Sequence, residues 1–300
     1  GRAMDAEKEM AMISEAVSGS GPHTVPAGKG ISHLRVADPE HYKESVRKAS
    51  EIMKAGDVYV MNLTHTIEAV SDSDPFGAFL RLRGISPSPY GAYMDMNGMQ
   101  IISSSMELLI DIDGDLAVTR PIKGTAPRTG DASADAASLK KLMSSDKERS
   151  ELLMVTDLER NDMNRFCVPG SVKVDGFFVP EEYATVFHTV SEISGRVREG
   201  IGTGDMISCM FPGGSVTGAP KLSAMKHIDL SEGCGRGIYT GTLCMLSGRR
   251  SVMNIAIRTM VHRNGIYRIG VGSGITWESD PDGEYEETMY KAKAMLRSLE

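Results

Sequence analysis

The sequence lacks the features that would place it among secreted, membrane or nucleic-acid-binding proteins. Only four cysteines occur in 300 residues (Cys167, Cys209, Cys234 and Cys244), far apart and without a CxxC pair. They offer neither a zinc-ligand spacing nor a disulfide framework, and are read as small buried hydrophobes. No window approaches the roughly 20 apolar residues of a membrane span, and the N-terminal stretch has no apolar core of signal-peptide length. The chain is therefore read as cytoplasmic, with no membrane partner. Lys and Arg number 33 against 40 Asp and Glu, for a net charge of −7. The basic residues are scattered, so there is no electrostatic footprint for nucleic acid. Internal repeats and low-complexity tracts are also missing.

What is present is a composition of 41% hydrophobic and 24% charged residues, enough for a good-sized core in one large domain or two closely joined ones. Residues 1–37 mix Gly, Ser and Pro with a short helix-like piece. They are read as a loosely held lead-in, with Gly1-Arg2-Ala3-Met4 resembling a cloning scar, and the compact body is expected over 38–300. Asp38-Pro39 supplies an N-cap and a first-turn proline. Tyr42, Val46, Ala49, Ile52 and Met53 then recur at helical spacing until Ala55-Gly56.

Strand patterns follow over 58–70, 90–96, 98–104 and 107–112, and Asp113-Gly114 reads as a hairpin turn into a strand over 116–122. One long helix is expected over 133–164, strands around SVKVDGFFV, and a helix over 219–228. Strands over 237–246, 251–261 and 266–271 precede a last helix over 282–298. Runs of adjacent strands broken irregularly by helices predict an α+β fold with mainly antiparallel sheets.

Several residues could carry chemistry. Lys123, in TRPIKGTAPR, emerges at a strand end among Pro121, Gly124 and Pro127, which fix where its side chain points. Glu148 and Glu151 are three residues apart on one predicted helix. Glu284 and Glu287 repeat the spacing on the last helix, with Lys291 four residues beyond Glu287. Such faces, if opposed, would make a carboxylate cage for Mg2+, although ordinary solvated helices show the same spacings.

In FPGGSVTGAPK, glycines 213, 214 and 218 precede a helix, an arrangement that suits an anion or simply makes a tight turn. Ala219-Pro220 before Lys221 departs from a phosphate-binding loop. Gly272 and Gly274 permit close backbone approach at a strand end. Arg258, in an apolar strand, needs a carboxylate from a ligand or from the protein. His188 reads either as a satisfied core histidine or as a catalyst.

The ordered set PIKGTAPR, LERND, FPGGSVTGAPK, GRGIYTG, AIRT and GSGITWESDPDGEYEETMYKAKAML resembles the chorismate-utilising enzymes. That family includes anthranilate synthase component I, aminodeoxychorismate synthase component I and the isochorismate and salicylate synthases. The resemblance runs from about residue 38 to the end of the sequence and implies large antiparallel sheets packed in a sandwich with surrounding helices. It puts Glu151 and Glu287 in the role of Mg2+ ligands, with Glu148 and Glu284 beside them. Arg258 and Tyr239 match positions that grip the enolpyruvyl carboxylate. Gly272 and Gly274 match backbone donors to the ring carboxylate, while Thr125, Thr217 and Lys291 match pocket-lining positions.

Lysine at position 123 is the discriminating residue. Anthranilate synthases typically have alanine there and aminodeoxychorismate synthases have lysine. The implied mechanism is attack of the Lys123 amine on C2 of chorismate as the C4 hydroxyl leaves, followed by addition of ammonia at C4 and release of the lysine. Glu107 matches the general acid of the isochorismate and salicylate enzymes and would protonate the leaving hydroxyl. His188 matches a family histidine on the leaving-group side.

Met106 departs from the family, where proline normally precedes the acid. Val60 departs too: isochorismate-type enzymes carry a base lysine there and the aminating enzymes usually glutamine. No cysteine sits in a glutaminase-like context, so ammonia is expected from a separate glutamine amidotransferase subunit. Family members generally carry a further large N-terminal portion, which includes the tryptophan feedback site of anthranilate synthases, so feedback is not expected from these residues. The alternatives are anthranilate synthase component I and a non-catalytic chorismate-binding subunit.

Overall fold

The computed structural model describes residues 25–183, 186–248 and 250–300; the helix-like piece and the scar-like tetrapeptide of the lead-in lie outside them. The segment expected to be loose nevertheless contains an edge strand, β1 (His33–Val36), paired with residues 67–70. Gly30 N–H donates to the Leu299 carbonyl at 3.0 Å, so the compact body begins before residue 38. Helix α1 (Pro39–Lys54) starts where Asp38 accepts from Glu40 N–H and Pro39 fills the first turn. It buries Tyr42, Val46, Ala49 and Met53 along one stripe.

The chain continues through β2 (Val60–Val70), α2 (Pro75–Ile85), β3 (Ala92–Asp95), β4 (Gln100–Ser103), β5 (Leu108–Asp113), β6 (Leu116–Arg120) and β7 (Ile122–Pro127). The single helix expected over 133–164 is two, α3 (Ala132–Met143) and α4 (Asp146–Asn164). The break falls at Ser144-Ser145, where the Ser145 hydroxyl caps Glu148 N–H and begins a new helix. Next come β8 (Lys173–Glu182), β9 (Val186–Arg196), α5 (Thr203–Met210), β10 (Gly218–Ala219) and α6 (Lys221–Glu232), then β11 (Cys244–Leu246), β12 (Arg250–Asn254), β13 (Thr259–Arg263), β14 (Ile266–Ile275) and α7 (Pro281–Arg297). Helices α2 and α5 were not anticipated.

The strands form two antiparallel sheets, ordered β1-β2-β14-β13-β4-β3, with β10 also on β2, and β11-β12-β5-β6-β9-β7, with β8 also on β9. With their flanking helices they give the expected α+β class. The first sheet packs against α1, α2, α6 and α7, and the second against α3 and α4.

The strand expected over 251–261 is divided between the sheets: β12 belongs to the second and β13 to the first. Residues 255–258 cross between them beside the other crossing segment, 104–107. Ser104 N–H donates to the Arg258 carbonyl and Ile255 N–H to the Glu107 carbonyl, both at 3.0 Å. Two polar residues, Glu107 and Arg258, therefore stand where the chain passes from one sheet to the other.

Candidate active site

A cavity of about 520 Å³ lies at this junction, lined by residues of both sheets and by α4 and α7; its size suits a small organic ligand. Of the residues singled out in the sequence, Glu107, Lys123, Thr125, Glu148, Glu151, His188, Tyr239, Arg258, Gly272, Gly274, Glu284, Glu287 and Lys291 all line it. Thr217 does not. Its buried hydroxyl donates to the Gly213 and Gly214 carbonyls, and its neighbours Ser215 and Val216 reach the cavity instead. The FPGGSVTGAPK turn is packed by protein: Gly213 and Gly214 lie against Ile255 and Leu158. Lys221 is bound to the Asp162 carboxylate and the Pro212 carbonyl.

One wall is the free edge of β14. This strand pairs with β13 only through Ile269 but with β2 through Ile275, so, among the described residues, 270–275 have a partner strand on one side alone. On the other side the Gly272 carbonyl accepts from Lys291 Nζ at 3.0 Å, and the main-chain N–H groups there face the cavity, where a ligand could take them up. Gly270 admits the ring of Tyr239: a Cβ there would stand 2.1 Å from Tyr239 Cγ. A Cβ on Gly272 would meet the Leu63 carbonyl at 2.5 Å, and one on Gly274 would lie 3.5 Å from Lys123 Nζ. The lysine amine thus reaches across the cavity to the glycine edge from β7, where a bulge between Lys123 and Thr125 offsets the pairing with β9.

Electrostatics divide the cavity. Glu107 is buried, and burial raises its carboxyl above the usual range despite opposing effects of Ser215, Lys123, the Ile122 amide and Lys291. Burial thus favours the form that can donate a proton. Burial lowers His188, whose Nδ1 lies 3.0 Å from Thr125 Oγ1 and 3.3 Å from the Gly124 carbonyl. Arg258 sits at φ 49°, a left-handed conformation that costs a non-glycine residue free energy and is retained only where neighbours fix it. Its guanidinium donates to the Lys291 carbonyl at 3.0 Å and, among the described residues, forms no ion pair, which leaves it able to receive a ligand carboxylate.

The two acidic helices do face each other. Glu148 and Glu151 are raised first by burial, with further contributions from Glu287 and Glu284 respectively across the cavity. Glu287 is exposed at its outer side, and Lys291 at 2.6 Å and Lys123 outweigh its partial desolvation and lower it. Among the described residues no three His, Cys, Asp or Glu side chains converge closely enough to form a metal centre, so the closed cage expected from helix spacing is not seen. Open, facing carboxylates still fit Mg2+, which accepts one or two carboxylates and keeps several waters.

Sequence reasoning missed Asn62, Lys147, Ser215 and Gly270, all on the cavity wall. Lys147 immediately precedes the acidic pair and Ser215 lies inside the glycine turn, so position beside a recognised motif was the available signal. Asn62 and Gly270 carried none, because their place depends on the β2–β14 pairing.

Comparison with known proteins follows the same outline. Residues 4–297 match the sequence model of a family described as chorismate binding enzyme. The chain is 39% identical over 260 residues to an anthranilate synthase component 1 of Haloarcula marismortui, covering 86% of this chain and 52% of that protein. It is 39% identical over 262 residues to aminodeoxychorismate synthase component 1 of Escherichia coli K12, covering 87% and 58%. The chain thus spans about half the length of these relatives. The crystal structure of anthranilate synthase component I from Streptococcus pneumoniae superposes with a TM-score of 0.86 at 30% identity, covering 98% of this chain and 67% of that one.

Proposed function

The chain belongs to the chorismate binding enzymes, and on that premise we propose that it aminates chorismate at C4, as the component I activity of an aminodeoxychorismate synthase. The observation that carries this reading is Lys123, whose Nζ lies beside Gly274 on the free strand edge in the same cavity as the buried acid Glu107. A nucleophile and a proton donor on one cavity provide for attack at one ring carbon and departure of oxygen from another.

In this reading Arg258 and Tyr239 hold the enolpyruvyl carboxylate, and the main chain at Gly272 and Gly274 meets the ring carboxylate, with Thr125 and Lys291 completing the pocket. Glu151 and Glu287 would hold Mg2+, with Glu148 and Glu284 orienting water around it. Bound there, the ion would supply positive charge that fixes and neutralises a substrate carboxylate. The Lys123 amine adds to C2 while Glu107 gives its proton to the departing C4 hydroxyl, which leaves as water. Neutral His188 lines the leaving-group side. Ammonia, supplied by a glutamine amidotransferase partner, then adds to C4 and expels the lysine.

Relatives named for both aminations have similar identity, so the product is the discriminating observable. Incubation with chorismate, ammonium and Mg2+, followed by chromatography and mass spectrometry, is expected to give 4-amino-4-deoxychorismate that becomes 4-aminobenzoate only when a lyase is added. Anthranilate with pyruvate would overturn the C4 reading, and Mg2+-dependent binding without turnover would favour a non-catalytic subunit.

A further inference from the structure

Strand β2 is incompletely paired on the side away from β14. There it meets β1 over residues 67–70 and β10 at residues 60 and 61, so the outward main-chain groups in between need other partners. Asn62 N–H donates to the Thr217 carbonyl at 2.7 Å, and the Thr66 carbonyl accepts from Ala37 N–H at 3.2 Å. Two charged residues fill the interval between them. Glu232 accepts from Thr64 N–H and from Thr64 Oγ1, both at 2.9 Å, and Arg236 donates to the Asn62 carbonyl at 2.6 Å.

The two are brought together by the end of α6. Glu232 is its last residue, and Gly233 follows in the left-handed conformation that turns the chain off the helix. Arg236 then meets the carboxylate with two prongs, Nε at 2.8 Å and Nη2 at 2.7 Å. Only 14% of the Arg236 side chain and 7% of that of Glu232 are exposed, so this ion pair is tolerable only if its remaining donors are satisfied. They are: Nη1 donates to the Val216 carbonyl at 2.8 Å and reaches Thr240 Oγ1 at 3.5 Å. All five guanidinium N–H groups therefore have acceptors.

Those acceptors belong to three walls of the main cavity. Asn62 pairs with Gly274 and Thr64 with Gly272, the two glycines of the free β14 edge. Val216 lies in the FPGGSVTGAPK turn and lines the cavity. Thr240 follows Tyr239 at φ 60°, a conformation that a non-glycine residue keeps only where neighbours fix it. Arg236 and Glu232 are not on that cavity's wall. They line a separate cleft of about 80 Å³, and Tyr239 lines both.

We propose that Arg236 is the positioning residue of the carboxylate-binding wall, joining the glycine edge, the glycine turn and Tyr239 through one guanidinium. This role rests on the reading that Gly272, Gly274 and Tyr239 meet the carboxylates of chorismate. Glu232 sets the plane of the guanidinium and anchors Thr64 with the same carboxylate. Lys123 is carried instead by the pairing of β7 with β9, and the Glu107 main chain by Ile255. The guanidinium touches neither, so its loss acts on substrate binding and leaves the nucleophile and the acid in place.

The test compares steady-state constants of the native chain and Arg236→Lys with chorismate, ammonium and Mg2+. Lysine keeps the charge but has three donors in place of five. Contacts made equally in the ground state and the transition state govern KM and not kcat. The KM for chorismate is expected to rise by about 10–100-fold, the scale of a group misplaced by about 1 Å, with kcat and the KM for ammonium unchanged. A merely structural loss would reduce the amount of folded enzyme, and with it kcat, at an unchanged KM; that result, or native constants, would overturn the proposal. If the native chain neither binds nor turns over chorismate, the reading of the cavity fails first and takes the proposal with it.

Should Arg236→Lys not fold, Glu232→Gln decides. Its amide keeps one oxygen for Thr64 but no longer offers Arg236 a two-pronged carboxylate. A raised KM for chorismate with native kcat supports the proposal, and a native KM contradicts it.

Discussion

Gly270 lies directly beneath the ring of Tyr239, so close that a methyl group at residue 270 would stand 2.1 Å from Cγ and 2.3 Å from Cδ1. Tyr239 is on the cavity wall, and its position depends on a residue without a side chain. Gly270→Ala must therefore displace the ring or the strand. Overpacking of this kind costs about 1–3 kcal/mol, to be read as a lower urea midpoint. The KM for chorismate should rise as well if Tyr239 meets a substrate carboxylate, as proposed. A variant with native stability and KM would show that the ring moves freely.

Glu107→Gln removes the proposed proton donor with little change of shape. A reduction of kcat by about 10²–10⁴-fold is expected for loss of a general acid, with a smaller change in KM. Because burial raises this carboxyl, the native enzyme should stay protonated at Glu107 into a higher pH range than an ordinary glutamate. Activity should then fall as pH rises through the raised value, and this limb should vanish in the variant's residual rate.

Glu159, buried on α4, gives a stability signature independent of catalysis. Burial raises its folded carboxyl to about 8 from an ordinary value of 4.5, so between those pH values the folded chain keeps a proton that the unfolded chain has lost. The unfolding free energy must decline as pH rises through that interval. Glu159→Gln should flatten the decline, leaving a smaller slope from Glu107, as measured by urea unfolding at pH 5 and pH 8.5. An unchanged slope would mean that Glu159 is ionised in the fold.

Part of this arrangement was legible in the sequence. Helical periodicity put each acid pair of α4 and α7 on one face, since residues three apart share a face whatever surrounds the helix, but spacing alone did not separate a metal site from a solvated helix, and the expected roles of these acids came from the resemblance. Lys123 was marked by its flanking prolines and glycine, and its expected role likewise came from the resemblance. Arg258 was found by its chemistry but misplaced, because an apolar run does not reveal that the chain changes sheets at residues 255–258 and turns through a left-handed conformation. Asn62 and Gly270 were invisible, since each matters through a strand partner remote in sequence. Thr217 was misjudged for the opposite reason: a hydroxyl in a recognised motif is turned back to carbonyls of its own turn.

The proposed Mg2+ site can be probed by calorimetry without turnover. Glu287→Gln removes a carboxylate and frees Lys291, which holds Glu287 at 2.6 Å, so Mg2+ affinity in the presence of chorismate should fall at least ten-fold. Glu151→Gln should act similarly from the facing helix. Native titrations in both variants would remove these residues from the metal's coordination.

The most direct test of the account is the product spectrum of Lys123→Ala beside the native chain, with chorismate, ammonium and Mg2+ and the lyase present. The account predicts that the variant still binds chorismate but makes no 4-amino-4-deoxychorismate, and that any residual amination appears at C2 as anthranilate. Formation of 4-amino-4-deoxychorismate by Lys123→Ala at the native rate would contradict the role of Lys123 as the nucleophile.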